Sequence, residues 1–254
     1  MGIFARKTTQ KKATTAPVRP SEALVALSDP KSPIAEAYRT VRTNLQFMNL
    51  DQSKKCFLVT SAGPGEGKST TVANLGVTMA MAGNRTLLVD SDLRRPVLHK
   101  LFAIPNTVGL TSVLAGQAKV ESAIQSGRLA NLYFLTSGPL PPNPAEILMA
   151  PPMADFLEFA RANYDVVILD SPPVISVSDA LVLGSLADGV VLVIRSGQYP
   201  YGFIRQAKSQ LEGVKATLLG TVLNSVDFKH DGYYYYQYYY YHYYGYSYGS
   251  DTKK

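Results

Sequence analysis

The chain has no tryptophan and a single cysteine, Cys56. One cysteine cannot close an internal disulfide, and its place in the apolar run Cys56-Phe-Leu-Val59 suits a small core residue better than a reactive thiol. No stretch of eighteen or more apolar residues occurs, so no membrane-spanning segment is expected. The N-terminus carries charges but no apolar stretch before a cleavage site, so no secretory leader is expected. Arg6 stands where a myristoylation motif needs Ser or Thr. The first twenty residues hold Arg6, Lys7, Lys11, Lys12 and Arg19 and no acid. Their charge and that of the last four residues account for the formal net charge of +6, leaving the body near neutral. A neutral body argues against nucleic-acid binding. A basic arm could still meet acidic headgroups or an acidic partner, although a solvated tail explains it equally well.

What is present begins with Thr60-Ser-Ala-Gly-Pro-Gly-Glu-Gly-Lys-Ser-Thr-Thr71. An apolar run precedes it, and apolar residues at helical spacing follow from Val72 to Ala82. Strand, glycine-rich loop and helix form the setting of a phosphate-binding loop. Glycines let backbone N–H groups approach a polyphosphate, and the helix directs its positive end to the same point. Lys68 can reach the β- and γ-phosphates, and Ser69 can place its hydroxyl on Mg2+. Ala62 stands where the usual pattern begins with glycine. The loop therefore predicts ATP binding by Gly63, Gly65, Glu66, Gly67, Lys68, Ser69 and Thr70.

Two further apolar runs end in aspartate: Leu87-Leu-Val-Asp90-Ser-Asp92-Leu-Arg94-Arg95-Pro96 and Val166-Val-Ile-Leu-Asp170-Ser-Pro-Pro173. A single aspartate at a strand end is usually a cap. Three beside a phosphate loop suit a hard cation, with Ser69, Asp90, Asp92 and Asp170 as the Mg2+ set. Asp90 or Asp92 could also accept the proton of an attacking hydroxyl.

Three regions are expected: a basic flexible arm over 1–30, a P-loop domain over 31–231 and a disordered tyrosine-rich tail over 232–254. Helices are predicted at Ser32–Met48, Lys68–Ala82, Pro96–Leu101, Leu110–Ala115, Val120–Ser126, Pro144–Ala150, Pro151–Asn163, Val177–Leu186 and Tyr201–Glu212. Strands are predicted at Lys55–Thr60, Thr86–Asp90, Leu132–Leu135, Val166–Asp170, Gly189–Ile194 and Thr217–Leu223. Continuous apolar strands alternating with helices indicate an α/β fold, a mostly parallel central sheet with helices on both faces. Ligands in such folds lie beyond the carboxyl ends of the strands. In the first helix Glu36, Arg39 and Arg42 recur at a spacing of three along one face. That face is either merely solvated or a self-association surface.

The tail holds Tyr233, Tyr234, Tyr235, Tyr236, Tyr238, Tyr239, Tyr240, Tyr241, Tyr243, Tyr244, Tyr246 and Tyr248. Only five of the chain's 17 tyrosines lie elsewhere, so the cluster calls for an explanation. Stacking on bases is disfavoured because no Lys or Arg precedes Lys253 in it. A set of phosphoacceptor hydroxyls on a tether fits better, with a sticking or scaffolding segment as the rival.

The loop over 61–70, the stretch Val89-Asp-Ser-Asp-Leu-Arg-Arg-Pro96 and Leu169-Asp-Ser-Pro-Pro173 together resemble the Walker A, A′ and B motifs of bacterial tyrosine kinases. Gly138-Pro-Leu-Pro-Pro-Asn-Pro-Ala-Glu-Ile-Leu148 is similar to a further family signature, and Glu36, Arg39 and Arg42 match its E-x-x-R-x-x-R oligomerisation motif. The resemblance implies a P-loop NTPase fold and a protein-tyrosine kinase that phosphorylates its own tail in trans. That fits the absence of H-R-D and D-F-G segments. It implies Lys68, Asp90, Asp92 and Asp170 as catalytic, and Asn224 beside the adenine. It further implies a ring-like homo-oligomer such as an octamer, a transmembrane modulator docking through its cytoplasmic end, and a cognate phosphotyrosine phosphatase. The expected place is the cytoplasm, at the inner face of the membrane, and the expected role is control of capsule or exopolysaccharide synthesis. The competing expectation is a partitioning-type ATPase switch that phosphorylates nothing.

Overall fold

The computed structural model describes residues 22–48 and 53–226. Its sheet is assembled around β1 (Cys56–Ser61), which lies between β5 (Val166–Asp170) and β6 (Gly189–Arg195). On one side β5 continues to β2 (Thr86–Asp90), β4 (Leu132–Leu135) and the two-residue β3 (Gln125–Ser126). On the other, β6 continues to β7 (Leu218–Asn224). All pairings are parallel except β3 with β4. Parallel neighbours require crossovers, which the helices supply.

Side chains alternate along each strand between two separate cores, as the period of two demands. Leu58, Leu87, Leu169 and Leu192 join α5 (Leu110–Leu114), α8 (Pro151–Asn163), α9 (Asp179–Leu186) and α10 (Tyr201–Gly213) on one face. Phe57, Leu88, Phe134 and Val191 join α3 (Lys68–Met81) and α4 (Leu98–Phe102) on the other. Short helices α6 (Val120–Ala123) and α7 (Pro144–Met149) cover the first face. Because both faces are buried, the strands lack a polar alternation, as their sequence indicates. Cys56 is one of the core residues, and burial pushes its thiol up to about 12.

Helix α2 (Pro33–Phe47) starts where Ser32 accepts from the Ala35 N–H at 3.2 Å and proline occupies the first turn. The residues just before it depart from the expected flexible arm. Residues 25–28 form the short helix α1 (Val25–Ser28), with Leu24 and Ala26 buried against α3. Asn74 of α3 fixes it from both sides, accepting from the Ala26 N–H at 2.9 Å and donating to the Ala23 carbonyl at 2.8 Å. Composition put the boundary after this segment because four helical residues leave no periodic signature.

The helix expected over Val120–Ser126 stops at Ala123. Gln125 and Ser126 instead pair antiparallel with Phe134 and Tyr133. The edge of β4 offers unpaired backbone groups, and satisfying them outweighs a weak helical preference.

Gly76 shows how closely α3 lies on the sheet: a Cβ there would stand 2.5 Å from Leu88 Cδ2. Glycine to alanine inside a helix ordinarily stabilises by about 1 kcal/mol. Gly76→Ala is expected to reverse that sign and destabilise by roughly 1–3 kcal/mol through overpacking. Urea unfolding checks it; an unchanged or raised midpoint would contradict the packing described.

Candidate active site

The phosphate loop leaves β1 at Ser61 and enters α3 at Lys68. It is braced from within by Glu66, whose buried carboxylate accepts from the Gly63 N–H at 2.8 Å and the Arg195 N–H at 3.2 Å. Charge-assisted bonds of this kind are short and strong. The Glu66 carboxylate is therefore taken up within the protein. Gly67 caps α3 in the left-handed region, with φ 89°. The N–H groups of the first helical turn, from Lys68 onward, have no intrahelical acceptor and face an anion site by construction.

A second layer grips the loop from outside. Gln198 Nε2 and the Tyr199 hydroxyl both donate to the Pro64 carbonyl, at 2.7 and 3.1 Å. Arg195 donates to the Gly65 carbonyl at 3.3 Å. Gly63 permits the approach of Tyr199, since a Cβ there would lie 2.4 Å from the ring. Asn224, at the end of β7, donates to the Glu66 carbonyl at 2.9 Å and accepts from the Ser225 N–H. Asn224 thus ties the end of β7 to the loop. Nothing in the Arg195–Tyr199 stretch signals such a grip in sequence.

The three acids stand beside this loop but in unequal settings. Asp90 and Asp170 are register partners on adjacent strands, both buried. One Asp90 oxygen accepts from the Val97 and Leu98 N–H groups at 3.0 and 2.9 Å; the other has no partner. Burial, with Asp170 next to it, pushes Asp90 up to about 8. Burial raises Asp170 to about 6, while the Lys68 ammonium and Ser69 hydroxyl pull it down; neither Asp170 oxygen has a hydrogen bond of good geometry. Asp92 accepts from the Arg94 and Arg95 N–H groups at 3.3 and 2.9 Å, and its other oxygen lies 3.3 Å from Lys68 Nζ.

These residues fit a nucleotide with Mg2+. Three buried carboxylate oxygens, two on Asp170 and one on Asp90, lack a hydrogen bond of good geometry and lie next to a cationic loop. Among the described residues no three His, Cys, Asp or Glu side chains form a ready-made metal cage. Mg2+ in phosphate sites takes one or two carboxylates and completes its shell with phosphates and water, so a full cage is not required. Asp170 and Ser69 are the residues best placed to hold it, with Asp90 behind. Asp92, sequestered by Lys68 and two amides, is the least available.

The raised acids have a consequence for stability. Between the unfolded value near 3.8 and their native values, the native state binds more protons than the unfolded chain. Stability contributed by this difference is present at low pH and lost as pH rises, through about 6 for Asp170 and about 8 for Asp90. Without nucleotide, the urea midpoint of Asp90→Asn is expected to fall less than that of the parent chain between about pH 5 and pH 8. Parallel profiles would show that Asp90 ionises normally.

Glu36 and Arg39 pair with each other within the chain, and Arg39 also bonds the Pro30 carbonyl. Arg42 donates to the Thr78 carbonyl near the end of α3 at 3.0 Å. All three lie on α2, and of them Arg42 reaches the C-terminal part of α3. The tyrosines Tyr233 to Tyr248 lie outside the described residues.

Residues 55–222 match the family model described as an AAA domain. The chain is 48% identical over 214 residues to the tyrosine-protein kinase YwqD of Bacillus subtilis, covering 84% of this chain and 90% of that one. It is 36% identical over 228 residues to the putative tyrosine-protein kinase CapB of Staphylococcus aureus, covering 89% and 97%. Among solved structures, the kinase domain of the Escherichia coli tyrosine kinase Etk superposes with a TM-score of 0.78 at 34% identity, covering 80% of each chain. A septum-site-determining MinD protein from Pyrococcus horikoshii, at 24% identity and a TM-score of 0.58 over 66% of this chain and 69% of its own, shares the fold. The fold, the Walker-type loops and these relatives agree, and the chain belongs to the family of bacterial tyrosine-protein kinases.

Proposed function

We propose that this chain is an ATP-dependent protein-tyrosine kinase that phosphorylates its own tyrosine tail in trans and thereby regulates capsular or exopolysaccharide synthesis. The observation that carries this is the conjunction of a braced phosphate loop, with Lys68 against Asp92 and Asp170 oxygens that lack a hydrogen bond of good geometry, and twelve tyrosines in residues 233–248. The likeness to the tyrosine-protein kinase YwqD and the putative tyrosine-protein kinase CapB supports it.

Each residue has a part in that reading. The loop amides and Lys68 bind the β- and γ-phosphates and neutralise charge as it develops. Mg2+ at Ser69 and Asp170 would supply further positive charge to the phosphates. The contact of Asp92 with Lys68 supports a position near the terminal phosphate, and in this reading Asp92 accepts the proton of an entering tyrosine hydroxyl. Asp90 anchors the backbone at Val97 and Leu98 and shapes the turn that carries Asp92. The acceptor tyrosines come from the tail of a neighbouring copy. Each phosphate added there carries about −1.5 to −2 charges, which repel the acids of the site and favour release. Asn224 would meet the adenine with the amide hydrogen and the oxygen lone pair that its bonds to Glu66 and Ser225 leave over.

No helix among the described residues is long and apolar enough to cross a membrane. In this reading a transmembrane modulator recruits the chain to the inner membrane face, and a phosphotyrosine phosphatase reverses the modification. Self-association is assigned to Glu36, Arg39 and Arg42. The in-chain Glu36–Arg39 pair is half exposed and worth little, so exchanging it for an intermolecular one costs little. Arg39→Ala with Arg42→Ala is expected to shrink the oligomer while ATP binding persists. Light scattering checks it, and an unchanged mass would remove these arginines from the interface.

The function is tested by incubating the full chain with γ-labelled ATP and Mg2+, alone and with the modulator's cytoplasmic segment, and mapping phosphosites by mass spectrometry. Label on Tyr233 to Tyr248 is expected. Steady phosphate release with an unlabelled tail would replace this reading with an ATPase switch.

A further inference from the structure

Asp179 opens α9, nine residues beyond Asp170, and is fully buried. Its two oxygens receive a parallel fork from Arg94, Nε at 2.9 Å and Nη2 at 3.0 Å. Arg94 belongs to the turn after β2, whereas Asp179 follows the turn after β5. The strands themselves end side by side at Asp90 and Asp170, and beyond them each turn goes its own way. The fork ties the two turns together above the site.

The tie continues inward. The backbone N–H of Arg94 donates to one Asp92 oxygen, and the other Asp92 oxygen pairs with Lys68. A continuous path therefore runs from α9 through Arg94 and Asp92 to the phosphate-binding lysine. Burying a carboxylate is costly unless it is paired, and an apolar residue would fill the same place without that cost. What a fork provides that apolar packing does not is a fixed direction and register. The Arg94 side chain is 40% exposed, so this register can be lost without opening the core.

Building on the kinase reading, we infer that Asp179 is a positioning residue for phosphoryl transfer: through the Arg94 fork it holds the turn that sets Asp92 against Lys68. The effect falls on turnover. Phosphate binding rests on the loop amides, which Asp179 does not touch, while transfer needs Asp92 in place. Misplacement of a reacting group by about 1 Å can cost on the order of 100-fold in rate.

The test uses Asp179→Asn, Arg94→Lys and the double variant Asp179→Leu with Arg94→Met. Each is measured for thermal stability, affinity for a fluorescent ADP analogue with Mg2+, and initial rate of tail phosphorylation. Asp179→Asn and Arg94→Lys are expected to slow transfer by about 10- to 100-fold, with nucleotide affinity held within about threefold. The double variant, free of an unpaired buried charge, is expected to recover stability yet remain slow. Recovery of both stability and rate would show a merely structural pair and overturn the inference, as would an unchanged rate in Asp179→Asn. Hydrogen exchange of the peptide spanning residues 91–98 decides the matter independently of activity. It is expected to quicken in Asp179→Asn while β1 and α3 stay protected, and unchanged exchange overturns the inference. A parent chain that transfers no phosphate would defeat the kinase reading alone, and the exchange result would still judge the tie.

Discussion

Lys68→Met is expected to lower tail phosphorylation by on the order of 1,000-fold, the range found when a preorganised donor to developing charge is removed. Methionine keeps the length of the lysine stem, and α3 begins at this residue without using its ammonium. The fold should therefore survive. The ammonium is lost from two places at once. It is no longer available to the β- and γ-phosphates, and it no longer compensates Asp92, 3.3 Å away. Asp170 also loses the largest influence that holds its proton affinity down. Three carboxylates then share the site with no cation. The variant should consequently bind Mg-ATP more weakly and depend more steeply on Mg2+ concentration than the parent. Rates from labelled ATP, together with a Mg2+ titration, check both statements. Phosphorylation within tenfold of the parent would mean that Lys68 is not at the transferred phosphate.

Gly67→Ala is expected to weaken nucleotide binding by at least 100-fold, for two separable reasons. A Cβ at this position would stand 2.1 Å from Asn224 Nδ2, and the backbone is in the left-handed region. That conformation costs about 1–2 kcal/mol for a residue with a Cβ. The clash adds displacement of Asn224, loss of its bond to the Glu66 carbonyl, and a shift of the first turn of α3. Combining Gly67→Ala with Asn224→Gly removes the clash but not the strain. The double variant should therefore recover only part of the affinity, which titration with the fluorescent ADP analogue measures. Full recovery would assign the whole effect to the clash. Wild-type affinity in the single variant would mean the loop changes shape when nucleotide binds.

The site was legible in unequal parts. The phosphate loop and the acids at the ends of β2 and β5 were read at their positions, because each is a local pattern: apolar run, turn, polar residue. The roles within the set were not. Asp90, Asp92 and Asp170 look alike along the chain. The fold gives Asp90 two amides, gives Asp92 the lysine, and leaves Asp170 with no hydrogen bond of good geometry. The small elements failed for a related reason. Residues 25–28 and 125–126 are too short for periodicity, and each owes its form to a distant partner, α3 in one case and β4 in the other.

By itself the sequence determined the fold class and the positions of the glycine-rich loop and the strand-end acids, and it singled out the tyrosine cluster as a candidate phosphoacceptor. Each of these rests on residues a few positions apart, where backbone geometry leaves little choice. Only the tertiary structure decided what grips the loop and what sets Asp92. Those contacts join Asn224 to Glu66, Tyr199 to Pro64 and Asp179 to Arg94 across separations of 158, 135 and 85 residues. Such pairs exist because parallel crossovers bring the ends of β1, β2, β5, β6 and β7 to one edge of the sheet. Neither member of a pair carries a local sign of the other.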